Sequence, residues 1–300
     1  MHYHELYNSG ELLTRLKAAY ARLKSCNLCP HDCRINRLGG EIGVCRSGAH
    51  PKVASANVHR GEEPPISGTH GSGTIFFSGC TLGCRFCQNF PISQLGSGEE
   101  ITSKALAGRM LKLQRQGVHN INLVTASHYM PQFLAALYLA IPLGFNLPIV
   151  WNSSGYERVD VLELLEGIVA IYLPDMKYSA EEPAVSLSGA PEYPAINRAA
   201  VAEMFRQVGH LRLDSDGIAA GGLILRHLVL PEGRAGSRAT LLWIAENLGQ
   251  ETHVALMNQY FPAYQATDLL GMNRKITEEE YTEAIEALAD AGLENGWVQE

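Results

Sequence analysis

The sequence predicts an α/β fold, with a parallel sheet curled toward a barrel and a small N-terminal cysteine-rich lobe. Three observations predict it. From Gly73 onward six short apolar runs alternate with helix-period segments, the pattern of parallel strands joined by right-handed crossovers. Polar residues close most of those runs, and in parallel β/α folds the C-terminal strand ends converge on one face. Convergence from so many strands favours a curled sheet over an open doubly wound one. Finally, all seven cysteines lie between residues 26 and 87. The expected division is residues 1–65 for an N-terminal helix and cysteine lobe, and 66–300 for the sheet domain with a C-terminal helix.

Each element follows from local pattern. "ELLTRLKAAYARLKS" places Leu12, Leu16, Tyr20 and Leu23 on one helical stripe. A cysteine-bearing loop follows, then "HRGEEPPISGTHGSG", a Pro/Gly-rich linker. The strand candidates are Thr74–Phe77, Asn120–Thr125, Pro148–Asn152, Ile168–Leu173, Leu223–Leu230 and His253–Met257. Between them, "TSKALAGRMLKLQRQG" has a Thr or Ser cap and a Gly117 stop. "PQFLAALYLAI" opens with Pro131 in its first turn, and "DVLELLEG" runs from a capping Asp160 to Gly167. "AVAEMFRQVG" and "SRATLLWIAENLG" end in glycine, and Thr277 with Glu280 has the spacing of a capping box.

With 46% hydrophobic and 18% charged residues the chain reads as globular, and 300 residues suffice for a sizeable core. A net charge of −7 gives no electrostatic reason to expect nucleic acid as a partner. The N-terminus lacks the basic and apolar regions of a signal peptide. No apolar stretch approaches the roughly 20 residues that span a bilayer. The expectation is a soluble cytoplasmic protein without membrane partners. Cysteines clustered in such a chain point to metal or redox chemistry rather than disulfides.

"SGCTLGCRFCQNF" sets Cys80, Cys84 and Cys87 in a C-x3-C-x2-C spacing just after the first strand candidate. Three thiolates are one ligand short of a closed tetrahedral site. Structural zinc needs a fourth ligand, which His70 or His128 offers. A 4Fe-4S cluster on three cysteines instead leaves one iron free for a ligand, and the open position is then the functional one.

This stretch resembles the cluster-binding loop of the radical S-adenosylmethionine superfamily, over about residues 70–262. Members share a partial (β/α)6, TIM-like barrel. "CRFC", "CQN" and "DMK" resemble the glycyl-radical-enzyme activases, such as the pyruvate formate-lyase activating enzyme. The whole chain, with "CNLCPHDC", "RHLVLP" and "ENGWVQE", resembles the PflX-like relatives of that activase. The resemblance implies that Cys80, Cys84 and Cys87 ligate three irons, and that S-adenosylmethionine chelates the fourth. It implies Phe86 beside the adenine, and Asp175 and Lys177 on the methionine part, where ammonium and carboxylate find opposite charges. The activases' G-G-E motif after the second strand is replaced by "VTASHYMP". Thr125 and Ser127 are the polar candidates there, and Asp175 is a candidate partner for the ammonium. His128 is either a substrate-facing group or a buried, hydrogen-bonded histidine, and Asn152 and Asn258 carry the same two readings. Arg226 is a cofactor-binding candidate, because a cation in an apolar strand needs an anionic partner.

"CNLCPHDCRINRLGGEIGVC" gives Cys26, Cys29, Cys33 and Cys45 in a C-x2-C-x3-C-x11-C pattern, and "GGEIG" supplies the turns that return Cys45. Four ligands close a site for zinc or for a fully ligated iron–sulfur cluster. The leading function is a radical enzyme, in which cleavage of S-adenosylmethionine yields a 5′-deoxyadenosyl radical that abstracts a hydrogen atom. By resemblance that hydrogen is on a glycine of a partner enzyme. A peptide or small-molecule substrate is the alternative, and an iron–sulfur electron carrier without radical chemistry is the second. A low-potential electron donor such as flavodoxin or ferredoxin is the implied partner.

Overall fold

The computed structural model describes residues 2–299. In chain order its strands are β1 (Lys52–His59), β2 (Ser72–Phe77), β3 (Glu99–Glu100), β4 (Ile121–Val124), β5 (Ile149–Ser153), β6 (Ile171–Pro174), β7 (Arg212–Leu213), β8 (Ala219–Leu228), β9 (His253–Met257) and β10 (Gly296–Val298). They form one sheet in the order β10-β9-β8-β6-β5-β4-β2-β1-β3, with β7 paired to β8. From β10 to β2 every neighbouring pair in that order is parallel, whereas β1 is antiparallel to both β2 and β3. The fold is α/β with a mainly parallel sheet.

All six expected strands form, and the differences lie at the margins. β1 falls in the segment expected to be loop and lobe, so the sheet begins at Lys52. Its "KVASANVH" has no continuous apolar run, and only Val53 in it is buried. β10 is three residues long and adds parallel to β9 beyond the last helix. Asp160 does not cap its helix, because the N-cap is Arg158. The Asp160 carboxylate instead pairs with Arg158 and Arg22 at 2.9 and 3.0 Å, two cations that compete with the helix amides for it.

Side chains alternate across the sheet. Ile75, Leu123, Trp151, Tyr172, Leu225 and Leu256 face the helices and are almost wholly buried in the main core. The helix Met130–Ala140 is apolar on nearly all sides because it lies between Ser103–Arg115 and Glu11–Ala21. On the other face, Val150, Ile171, Leu173 and Ile224 pack with Ile66, from a short turn of helix in the expected linker. Near the C-terminus the Thr277 capping box forms as expected. Among the described residues no helix is long and apolar enough to cross a membrane.

Candidate active site and cysteine lobe

Residues 78–93 leave the C-terminal end of β2 as the three-cysteine loop. All seven cysteines of the chain are free thiols. Each thiol of this loop meets a hydrogen-bond partner. The Leu82 amide donates to Cys80 Sγ at 3.3 Å, Ser188 Oγ donates to Cys84 Sγ at 3.0 Å, and Ser93 Oγ lies 3.1 Å from Cys87 Sγ. Donors aimed at sulfur favour the thiolate over the thiol. Burial works the other way and pushes Cys84 up to about 11, against the pull of Lys177. Cys80 and Cys84, both raised by burial, are therefore held protonated until a cation replaces the proton.

Asp175, Lys177 and Arg226 stand opposite. Lys177 Nζ is 2.6 Å from Asp175 Oδ2, and Arg226 Nε is 3.0 Å from Asp175 Oδ1. Arg226 also donates to Asn152 Oδ1 at 2.7 Å. Alternation at the end of β6 sends Asp175 and Lys177 to one side and buries Met176 on the other. Tyr193 Oη accepts the Lys177 amide, and Asn197 Nδ2 donates to the Asp175 carbonyl, so the turn is held from behind. Burial raises the Asp175 carboxyl, but Arg226 and Lys177 outweigh it and hold the group below its ordinary value. Burial likewise acts to lower Lys177, and Asp175 with Cys84 reverses the direction. Cys84, Phe86, Cys87, Asp175, Lys177 and Arg226 all line one cavity of about 200 Å³, closed on a further side by Gln259.

Other expected residues lie elsewhere. Ser127 Oγ donates to Glu157 Oε1 at 2.6 Å rather than into the cavity. Glu157 also accepts from Trp151 Nε1 and Ser153 Oγ, at 2.9 and 2.7 Å. This buried carboxylate ties the end of β4 to the end of β5, and nothing in its sequence context signals that beyond its nearness to "WNSS". Thr125 has φ +59°, a left-handed backbone that is an outlier for a β-branched residue. His128 is the buried, hydrogen-bonded alternative: its Nε2 lies 2.9 Å from the Ser78 carbonyl. His70 stacks on His119 at the opposite end of β2. Neither histidine completes a zinc site with the three cysteines. Asn258 bonds to Gln299 at the chain's end.

Cys26, Cys29, Cys33 and Cys45 gather in one lobe, where the other three act electrostatically on Cys29. Burial pushes the Cys29 thiol up to about 12, against a lowering pull from the His31 backbone amide. Among the described residues, no group of three or more His, Cys, Asp or Glu is arranged to hold a single metal ion. A cluster differs in that its thiolates bind separate irons and stand further apart. By donor chemistry alone, the three loop thiols suit an iron–sulfur cluster and the four of the lobe suit zinc or a cluster.

No protein-family model matches the chain. The uncharacterized protein MJ0674 of Methanocaldococcus jannaschii is 32% identical over 283 residues, 91% of this chain and 78% of that one. The chain belongs to the family of that archaeal protein. Among solved structures, the MJ0674-family chain is similar to TYW1 with a lysine–pyruvate adduct bound, at 12% identity and a TM-score of 0.44 over 76% of each chain. It is also similar to Streptococcus suis SuiB bound to the precursor peptide SuiA, at 13% identity and a TM-score of 0.46. That match covers 74% of this chain and 46% of SuiB. Likenesses of this size carry no activity across.

Proposed function

We propose that this member of the MJ0674 family is a radical S-adenosylmethionine enzyme. The observation that carries the reading is the meeting of Cys84 and Cys87, two of the three loop thiols, with an Asp175–Lys177–Arg226 charge group across one cavity. Cys80, Cys84 and Cys87 would hold a 4Fe-4S cluster, which with bound S-adenosylmethionine would supply one-electron cleavage of the sulfonium and a radical able to take a hydrogen atom.

The chain's own residues bind, orient and exclude. Asp175 keeps Lys177 charged, which readies an ammonium for the cofactor's carboxylate and a carboxylate for its amino group. Arg226 fixes the second Asp175 oxygen and holds Asn152 in turn. Phe86 and the Tyr260 ring behind it, centroids 5.9 Å apart, give the cavity an apolar wall suited to adenine. The donors on the three sulfurs offset negative charge there, a lever on reduction potential.

In this reading the parallel strands β2, β4, β5, β6, β8 and β9 make a partial (β/α)6 barrel within residues 66–300, and the cysteine segment ahead of β1 forms a second metal-binding lobe. The chain is PflX-like, the hydrogen belongs to a glycine of a partner enzyme, and the cytoplasmic donor is of the flavodoxin or ferredoxin class. Anaerobic reconstitution followed by dithionite and S-adenosylmethionine tests the core of it. The expected products are methionine and 5′-deoxyadenosine, with none from Cys84→Ala. A fully loaded protein that yields neither refutes the reading. A glycine-centred radical on an added glycyl-radical protein separates that substrate from a peptide or small molecule.

A further inference from the structure

We infer that Ser188 and Tyr178 form a hydroxyl relay onto the Cys84 sulfur, and that this relay sets how readily a cluster on the loop accepts an electron. This rests on the cluster of the proposed reading. Both are positioning residues, acting on the ligand sulfur from behind the cavity.

The helix Glu181–Ser188 brings the serine to the loop. Gly189, at φ +61°, ends that helix, and the last carbonyls of a helix have no partner within it. Two of them accept loop amides instead. The Gly83 amide donates to the Ser188 carbonyl and the Arg85 amide to the Leu187 carbonyl, both at 2.8 Å. These two bonds lie on either side of Cys84. They hold Ser188, a fully buried residue, with its Oγ 3.0 Å from Cys84 Sγ.

Tyr178 extends the chain by one step. It directly follows Lys177, and its hydroxyl oxygen lies 2.6 Å from Ser188 Oγ. Its buried ring stands edge-on to Tyr193 at 5.4 Å. Tyr193 is the residue whose hydroxyl accepts the Lys177 amide, so the turn and the phenol are fixed together.

Proton counting gives the relay its direction. A serine hydroxyl has one hydrogen to donate. While Cys84 is a thiol it carries a proton of its own, and the chain can run either way. A thiolate bound to iron carries none, so Ser188 must donate to sulfur and Tyr178 must donate to Ser188. Donation to an ionised group is the stronger kind, and a donor that itself receives a hydrogen bond is strengthened further. Reduction adds negative charge to a cluster, so a hydrogen bond to its sulfur favours the reduced state. Cys80 takes its hydrogen bond from a backbone amide, and the partner of Cys87 is Ser93 of the same loop. The hydroxyl on Cys84 comes instead from a separate helix.

Redox titration of the reconstituted full chain, read by electron paramagnetic resonance, tests the relay. Ser188→Ala should hold iron and sulfide as the parent does but be harder to reduce. The expected shift is about tenfold in the reduction equilibrium, the low end for a charged hydrogen bond, or about 59 mV for one electron. Tyr178→Phe should shift it the same way by less, because Ser188 keeps its own proton for the sulfur. Ser188→Thr, which retains the hydroxyl, should restore the parent value. A potential unmoved in Ser188→Ala at full iron content overturns the inference, even if stability in urea falls. So does one unmoved in Tyr178→Phe, which also decides the matter if Ser188→Ala fails to hold iron. Cleavage of S-adenosylmethionine is scored separately. A cluster that titrates as described but yields no 5′-deoxyadenosine defeats the radical reading and leaves the relay standing.

Discussion

At the scale of single residues, Lys177 was legible because "DMK" closes a strand, and alternation alone pairs it with Asp175. The sequence could not show that Arg226, from two strands away in the chain, takes the other Asp175 oxygen. Loss of a charged hydrogen bond to a ligand costs about 1.5–3 kcal/mol, roughly ten- to a hundredfold in affinity. Lys177→Met is therefore expected to weaken S-adenosylmethionine binding at least tenfold on that scale, with the iron content intact. Isothermal titration of the reconstituted variant reads it, and unchanged affinity would leave Lys177 only the role of neutralising Asp175. Thr125 is the opposite case, since threonine in sequence signals an extended strand end and not a left-handed turn. Relief of its backbone strain should outweigh the extra freedom of glycine in the unfolded chain. Thr125→Gly is expected to stabilise the protein by about 1 kcal/mol in urea unfolding, on those magnitudes. A destabilised variant would mean that the threonine side chain gives more than its backbone costs.

Among the elements, the alternating strands and capped helices were readable because each buries a continuous apolar face or carries its own stop signal. β1 was not, because its residues are mostly half exposed and its pairing with β2 is decided by contacts remote in sequence. Nor could spacing reveal that the cysteine lobe is seated on the three-cysteine loop, since the decisive residue is a glycine. Gly79→Ala would bring Cβ against the Cys45 carbonyl at 2.5 Å, with φ at +82°. Both faults act together and backbone cannot swing aside as a side chain does, so a loss of about 2 kcal/mol or more is expected. The urea midpoint should fall, and residues 26–48 should become the first site of limited proteolysis. A variant as stable and as protected as the parent would show that the lobe is not seated as described.

For the molecule as a whole, the net charge of −7 offers no electrostatic reason to expect nucleic acid, but pH response depends on burial that composition does not record. His128 and His227 are enclosed, and burial lowers them to about 3 and about 4. His227 lies between the Met176 carbonyl and Ser237 Oγ at 2.6 and 2.9 Å, and His128 Nδ1 is buried without a partner. A second proton on either ring would therefore enter as a poorly compensated charge. In the unfolded chain both titrate near 6.5, roughly the value of a free histidine. Their folded values are depressed, so the unfolded state binds protons first as pH falls. Stability is full above about pH 6.5 and declines toward pH 4, by about 1.4 kcal/mol per pH unit for each histidine. Asp175, also depressed, loses its share only below the ordinary carboxylate range, so it does not contribute to this window. Urea unfolding at pH 7, 6 and 5 should show the decline, and His227→Gln should lessen the slope by one histidine's share, about 1.4 kcal/mol per pH unit. A flat profile over that range would mean that the two rings accept protons in the folded state, and that their enclosure is looser than the hydrogen bonds around them imply.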